Sequence, residues 1–284
     1  MSTSYLTRIF DYSYWEKELA DLNRKYSSAD PYPHIVLENF LSTEAAETAL
    51  KEFPSLDSSE WINYVHYNEN KFGKNKIETF PLGIKAIVEE LNSEKFLNFL
   101  SRLTGIKDLN ADWGLEGGGL HQTKRGGFLN IHADFTAHPH NLKWKRRVNV
   151  LVYLNKNWQE SYGGSLELWD KKMKSCVKKV APVFNRAVIF NTDEDSHHGY
   201  PHPITCPEDI TRKSIALYYF TEEAVHKVHS TNYKPIPTDN LFKRCMIILD
   251  KMVLSSYDMF KRIFKFDDRF VSNVLKTISS LKKK

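Results

Sequence analysis

The sequence predicts a mainly β core flanked by helices, an α+β chain, and three observations carry that prediction. Between about 108 and 222 the chain breaks into short β-rich runs: GGFLNIHADF, RRVNVLVYLN, GGSLELWD, CVKKV, RAVIFNT and KSIALYYFT. They are separated by Gly, Pro, Asn and Asp. Short strands at this spacing build a barrel or a sandwich. The sequence on either side reads as helical. Finally, 41% hydrophobic and 13% aromatic residues in 284 supply enough apolar surface for a substantial core.

In chain order, residues 1–30 are polar and aromatic and predict one or two short helices. PYPHIVLENFL (31–41) reads as a strand running into a turn. Ser42 is placed to cap a helix through about Phe53, with Glu44 in the first turn, where negative charge is favoured. Residues 54–82 read as irregular, with Trp61, Tyr64 and Tyr67 spaced for a strand. A helical stretch from about Leu82 to Leu103 is interrupted near 91–96, where Ser93 caps the second piece and Thr104-Gly105 ends it. The chain therefore divides into a lead-in (1–107), a β core (108–222) and a helical C-terminal extension with a basic tail (223–284).

Cys176, Cys206 and Cys245 are odd in number and far apart. That argues against a disulfide framework or a cysteine zinc site and points to a reducing, cytoplasmic setting. The first residues lack the apolar run of a signal peptide, and no run reaches transmembrane length. Net charge is +5. Lys251–Lys284 holds nine Lys/Arg and three Asp/Glu, a net +6, which leaves −1 for the first 250 residues. The body is not a polycation, which weakens a nucleic-acid reading. The basic amphipathic end reads first as a helix packed on the core. Contact with an acidic partner or a membrane surface is its alternative role.

The chemistry concentrates in LNIHADFTAHPH (129–140). His132 and Asp134 stand two apart, on one side of a predicted strand, where ionisable groups are costly unless paired. A divalent metal would pair them. NTDEDSHHGYPHP (191–203) offers a third ligand from His197, His198 or His202. Two His and one carboxylate form the facial set of non-haem Fe(II) oxygenases. On RKSIALYYF, period two places Arg212, Ser214, Ala216 and Tyr218 on one face and Ile215, Leu217 and Tyr219 on the other. An Arg and a Ser together suit a small dicarboxylate. On RVNVLVYLN, Val148, Val150, Val152 and Leu154 share one face, and Asn149, Leu151 and Tyr153 the other.

The pieces fall in a recognisable order: His132-Ala-Asp134, Tyr153-Leu-Asn-Lys-Asn-Trp158, Gly163-Gly164-Ser-Leu-Glu-Leu168, Pro182-Val-Phe-Asn-Arg-Ala-Val-Ile-Phe190, His198-Gly199, Arg212-Lys-Ser214. This order resembles the 2-oxoglutarate/Fe(II)-dependent dioxygenases, nearest their prolyl 4-hydroxylase-like branch, over roughly 110–222. The resemblance implies a double-stranded β-helix, a jelly-roll or cupin-like core. It implies His132, Asp134 and His198 as iron ligands. His198 is preferred to His197 because a glycine follows it. Arg212 would bind the far carboxylate of 2-oxoglutarate, assisted by Tyr153 and Ser214, with His121 or Gln122 as a further contact.

The implied cofactors are Fe(II), 2-oxoglutarate and O₂, with ascorbate as a reductant. The implied reaction hydroxylates an unactivated C–H, proline in a peptide or a free amino acid being favoured, with succinate and CO₂ as coproducts. Related halogenases carry Gly or Ala at the position of Asp134, so its presence favours oxygen insertion. Trp113, Trp158, Arg146 and the 136–146 loop are expected near substrate. His138, His140 and His202 are expected on the rim or in loops. The competing class is a non-catalytic cupin-like module binding a metal or carbohydrate.

Overall fold

The computed structural model describes residues 8–224 and 227–264. The lead-in comprises α1 (Tyr12–Ser27), β1 (His34–Leu37), α2 (Thr43–Glu52), a hairpin of β2 (Ile62–His66) and β3 (Glu69–Lys74), α3 (Leu82–Leu91) and α4 (Glu94–Thr104). The core strands are β4 (Asn110–Ala111), β5 (Gly119–Thr123), β6 (Phe128–Ala133), β7 (Ala137–His138), β8 (Asn141–Tyr153), β9 (Leu166–Trp169), β10 (Cys176–Val180), β11 (Arg186–Asn191), β12 (His198–Tyr200) and β13 (Arg212–Glu222). β14 (Asn232–Tyr233) and α5 (Leu241–Phe264) follow.

The helix ends obey their local signals. Ser42 accepts a hydrogen bond from the Ala45 amide, Ser93 from the Phe96 amide, and Gly105 closes α4 in the left-handed region. Two readings need correction. Residues 62–74, within the stretch that reads as irregular with strand spacing, form a hairpin, because Tyr64 pairs with Lys71 across the strands and Lys71 and Glu69 turn into the cavity, a signal local periodicity does not carry. The stretch past 223 reads as helical, but its described residues 227–240 are loop with the short β14, and helix begins at Leu241. The basic stretch 265–284 lies outside the described residues.

The antiparallel strands run β1-β11-β8-β13-β5-β3-β6-β12-β9-β10. β3 is the joint between the two sides. Its first half pairs with β6, Glu69 opposite Leu129, and its second half with β5, Phe72 opposite Gln122. The result is a near-closed jelly-roll barrel. Its outer face is apolar: Val148, Val150, Val152, Ile215, Leu217 and Tyr219 share one core with the buried faces of α1–α4. The alternate residues of the same strands, Asn149, Leu151, Arg212, Ser214 and Tyr218, line an internal cavity of about 560 Å³. This two-faced alternation follows from the pleat.

Two asparagines of the YLN and NR motifs clamp backbone. Asn185 accepts from the Leu41 amide at 2.9 Å and donates to the Leu41 carbonyl at 2.8 Å, fastening the lead-in to β11. Asn155 accepts from the Lys213 amide at 2.7 Å and donates to the Pro182 carbonyl at 2.6 Å.

α5 covers the cavity mouth, where Val253 and Leu254 form part of the wall. A polar clasp holds it. The Asp250 carboxylate meets His66 Nδ1 at 2.7 Å and accepts from Asn68 Nδ2 at 2.7 Å, while His66 Nε2 lies 2.9 Å from Glu69. Burial opposes charging of His66, but the two carboxylates win and raise its pKa to about 9. A raised folded pKa stabilises fully below the unfolded value near 6.5 and ceases to do so as pH climbs through 9. The native chain is therefore expected to lose more melting temperature between pH 7 and 10 than His66→Gln. The clasp contributes about 1–3 kcal/mol, as charge-assisted hydrogen bonds do. Equal losses in the two proteins would remove the clasp from the account.

Candidate active site

β6 and β12 are neighbours, with His132 directly opposite His198, and Asp134 follows one residue past the end of β6. Donor atoms of His132, Asp134 and His198 all lie within 4.8 Å of one another, the one such group among the described residues. Each imidazole is oriented from behind. His132 Nδ1 donates to the Asn130 carbonyl at 2.9 Å and His198 Nδ1 to the Ser196 carbonyl at 2.9 Å. That fixes the tautomer and leaves both Nε2 lone pairs facing the carboxylate. Nε2 of His132 lies 3.6 Å from Asp134 Oδ1, and Nε2 of His198 lies 3.5 Å from Oδ2. These separations are too long for hydrogen bonds, and the convergent N, N, O donors fit a divalent metal of the iron type.

Electrostatics favour the ligand forms. Burial raises the Asp134 pKa, but the Arg146 guanidinium outweighs it and holds the carboxyl well below the usual carboxylate range. Burial pushes His198 down to about 3, keeping it neutral. Arg146 is almost fully buried. Its Nη2 stands 3.1 Å from Asp134 Oδ2, and its Nε donates to Asn149 Oδ1 at 2.9 Å. Asn149 in turn donates to Asp134 at 2.8 Å, and the guanidinium stacks on Tyr218, 3.4 Å from the ring centroid. Arg146 therefore supports the carboxylate from behind, and its side chain also lines the cavity, where it is expected near substrate.

The glycine after His198 has a physical reason. A Cβ on Gly199 would stand 2.8 Å from the carbonyl oxygens of both Leu129 and Asn130 on β6. Gly199→Ala must push β12 off β6 and carry His198 with it. We expect a loss of about 1–3 kcal/mol, the usual cost of overpacking, together with weakened Mn(II) binding by titration. Unchanged metal affinity would show that β12 accommodates the methyl elsewhere.

Arg212 opens the second half of the site. It is buried at 4% exposure, its Nε donates to the Gly164 carbonyl at 2.8 Å, and its Nη2 donates to Tyr153 Oη at 3.3 Å. The guanidinium lies between the rings of Tyr200 and Tyr153, 4.3 and 4.8 Å from their centroids. Gly164 adopts φ +71°, and a Cβ there would come within 3.2 Å of Arg212 Cδ, so the paired glycines let the loop close on the arginine. Trp158 pins that loop from below, donating to the Gly163 carbonyl at 3.0 Å. Ser214 lies on the same cavity face as Arg212.

Of the remaining expectations, Gln122 stands away from the cavity, with its amide donating to Thr211 at 2.7 Å. The pleat gives that position to its neighbour His121, which lines the cavity and is pushed down to about 3 by burial. His197 is buried but outside the triad. Trp113 is exposed and Trp158 packs in a satellite cluster, and neither lines the cavity. The 136–146 segment is the β7–β8 hairpin, with Ala137 and Pro139 at the wall. His138 packs against Trp144 beside Asp112, while His140 pairs with Glu116 at the rim, and His202 is exposed. Sequence reading missed Lys71, Glu69, His66, Tyr200 and Tyr233, all in the wall. Alternation of Glu69, Lys71 and Gly73 was the available signal.

Residues 118–220 match the model of the 2OG-Fe(II) oxygenase superfamily. Prolyl 3-hydroxylase OGFOD1 of Mus musculus is 27% identical over 197 residues, 67% of this chain and 33% of its own length. Prolyl hydroxylase EGLN3 of the same species is 34% identical over 79 residues, 28% of this chain and 30% of its own. The chain thus spans about a third of the curated relatives it matches. Among solved structures, a prolyl hydroxylase from Trichoplax adhaerens superposes with TM-score 0.55 at 21% identity, covering 74% of this chain and 93% of that one. A prolyl-4-hydroxylase from Pseudomonas putida gives 0.50 at 18%, covering 72% and 100%. These two likenesses speak to the fold. The barrel segment 118–220 thus matches the 2OG-Fe(II) oxygenase superfamily, and the chain is similar in sequence and in fold to prolyl hydroxylases.

Proposed function

We propose that this chain is a 2-oxoglutarate- and Fe(II)-dependent dioxygenase that hydroxylates an unactivated C–H in a peptidyl or free amino-acid substrate, proline foremost. Succinate and CO₂ are the coproducts. The observation that carries the reading is the convergence of the His132, Asp134 and His198 donor atoms beside a buried arginine in one cavity. Iron(II) and 2-oxoglutarate are the cofactors of the superfamily, and when bound they supply the oxidising power, one atom of O₂ ending in the new hydroxyl and the other in succinate. His132, Asp134 and His198 would hold the metal, and the donor set fits it. A charge-assisted pair from Arg212, with Tyr153 and Ser214 beside it, would hold the far carboxylate of the cosubstrate.

The protein's own task is then positional. Arg146 and Asn149 keep Asp134 ionised and aimed. The Asn130 and Ser196 carbonyls keep both imidazoles in the ligand tautomer. Leu129, Leu151 and Leu166 give the interior an apolar wall that keeps water from competing for the reactive site. No side chain needs to act as a general acid or base. The proline preference draws on the names of the relatives, prolyl 3-hydroxylase and prolyl hydroxylase. Among the described residues no helix is long and apolar enough to cross a membrane.

The test is succinate formation from 2-oxoglutarate with Fe(II) and ascorbate, run against pools of peptides, amino acids and sugars. Metal-dependent succinate that rises with one pool and vanishes in His132→Ala is expected. A chain that binds Mn(II) but never turns over 2-oxoglutarate would favour a cupin-like binding module instead.

A further inference from the structure

The cavity wall carries a lysine that neither the metal centre, the cosubstrate arginine nor the clasp explains. Lys71 projects from β3 into the interior, where its Nζ meets Glu69 Oε2 at 3.1 Å. The side chain is largely buried, 14% exposed. An ammonium has three N–H groups, and the hydrogen bonds and ion pairs found for Lys71 go to Glu69. Tyr64 offers a ring face 5.6 Å away. Burial disfavours the charged form, but the Glu69 carboxylate overrides it and raises the pKa, so the group remains a donor.

Its position separates it from Arg212. With Phe72 opposite Gln122, the β3 register carries Lys71 to the level of Thr123, whose partner on β13 is Arg212. Lys71 and Arg212 therefore share one face two strands apart, about 10 Å by strand spacing. Tyr200 stands between them. Its hydroxyl is bonded to Thr123 Oγ1 at 2.9 Å and its ring covers the guanidinium. Lys71 is thus screened from the carboxylate that Arg212 would take.

Charge decides the kind of group Lys71 suits. Lys71, Glu69, His66 and Asp250 form a chain of alternating sign, +, −, +, −, through contacts of 2.7–3.1 Å. Its net charge is zero, so it offers a directed donor and little attraction for a second anion. A peptide carbonyl is the acceptor that matches.

We propose that Lys71 is a specificity-determining residue that donates to a backbone carbonyl of a peptide substrate, on the β3 wall of the cavity. This deepens the hydroxylase reading and rests on it for the identity of the cavity, while its test does not require turnover. The probes are proline-containing peptides acetylated and amidated at their ends, with free proline as the anionic comparison. Binding is measured by calorimetry on the full chain loaded with Mn(II) and 2-oxoglutarate without O₂. A capped peptide is expected to bind the native chain better than free proline. In Lys71→Met its affinity should fall roughly tenfold, the loss of one charge-assisted hydrogen bond, while Lys71→Arg keeps part of it. The 2-oxoglutarate affinity should stay unchanged in both variants, which also certifies that they fold.

Three results would overturn the proposal: equal peptide affinity in Lys71→Met, tighter binding of free proline than of every capped peptide, or a loss of 2-oxoglutarate affinity in Lys71→Met. Absence of succinate formation beside intact Lys71-dependent peptide binding would count against the hydroxylase reading alone.

Discussion

Replacing Asp134 with alanine is expected to abolish 2-oxoglutarate turnover and to destabilise the protein as well. Metal binding should fall by more than about 100-fold, the upper range for removing groups that merely support a ligand. From sequence alone such a change looks harmless to folding. The structure says otherwise, because Asp134 is the counter-charge of Arg146, which is 1% exposed. Removing one member of a buried pair strands the other, at about 3–5 kcal/mol. His132→Ala lacks this penalty, since the groups His132 leans on, a backbone carbonyl and the rings of His198 and Tyr233, leave no stranded buried charge when it goes. Melting curves of the two variants should therefore separate while both are inactive. A native-like melt for Asp134→Ala would mean that Asn149 and the aromatic stack suffice for Arg146, and retained turnover would dismiss the ligand assignment.

Arg212→Ala should leave the metal bound and cripple the cosubstrate. Losing a charge-assisted pair of about 2–3 kcal/mol raises the 2-oxoglutarate dissociation constant by roughly 30- to 150-fold. Arg212→Lys is expected to recover little of it. A lysine has no Nε to donate to Gly164, no second nitrogen for Tyr153, and no planar surface to lie between Tyr153 and Tyr200. The measurement is the 2-oxoglutarate dependence of succinate formation, alongside Mn(II) titration as the control for an intact metal centre. An unaltered cosubstrate dependence in Arg212→Ala would move the carboxylate elsewhere in the cavity.

Much of the fold was legible because local rules and tertiary demands agreed. Ser42, Ser93 and Gly105 mark helix ends by chemistry that works within a single turn. The two faces of β8 and β13 could be sorted residue by residue, since one is apolar throughout and the other mixes Arg, Ser, Asn and Tyr. The triad was legible as a pattern of residue types, and Gly199 distinguished between adjacent histidines for a reason visible only in space, the close approach of β6.

What could not be read shares one cause. Lys71, Glu69 and Asp250 are charged residues in unremarkable surroundings, and they become interior only when β3 inserts between β5 and β6 and α5 folds across the mouth. Arg146 could be read as a residue near substrate but not as the buried counter-charge of Asp134, its partner lying twelve residues earlier. Gln122 and His121 differ by a single step along a strand, and a pattern without a fixed register cannot say which of two neighbours faces inward.

The joint made by β3 has a wider consequence. The groups that would perform oxidation, His132, Asp134, His198 and Arg212, all fall within 118–220, whereas Lys71, His66, Tyr233 and Val253 reach the same chamber from outside that span. On the proposed hydroxylase reading, reactivity and choice of target are thus encoded in separate stretches of the gene product. On that reading, drift in the hairpin or the terminal helix would change the target while the chemistry stands still, and exchange of those two pieces between homologues is the natural route to altered selectivity.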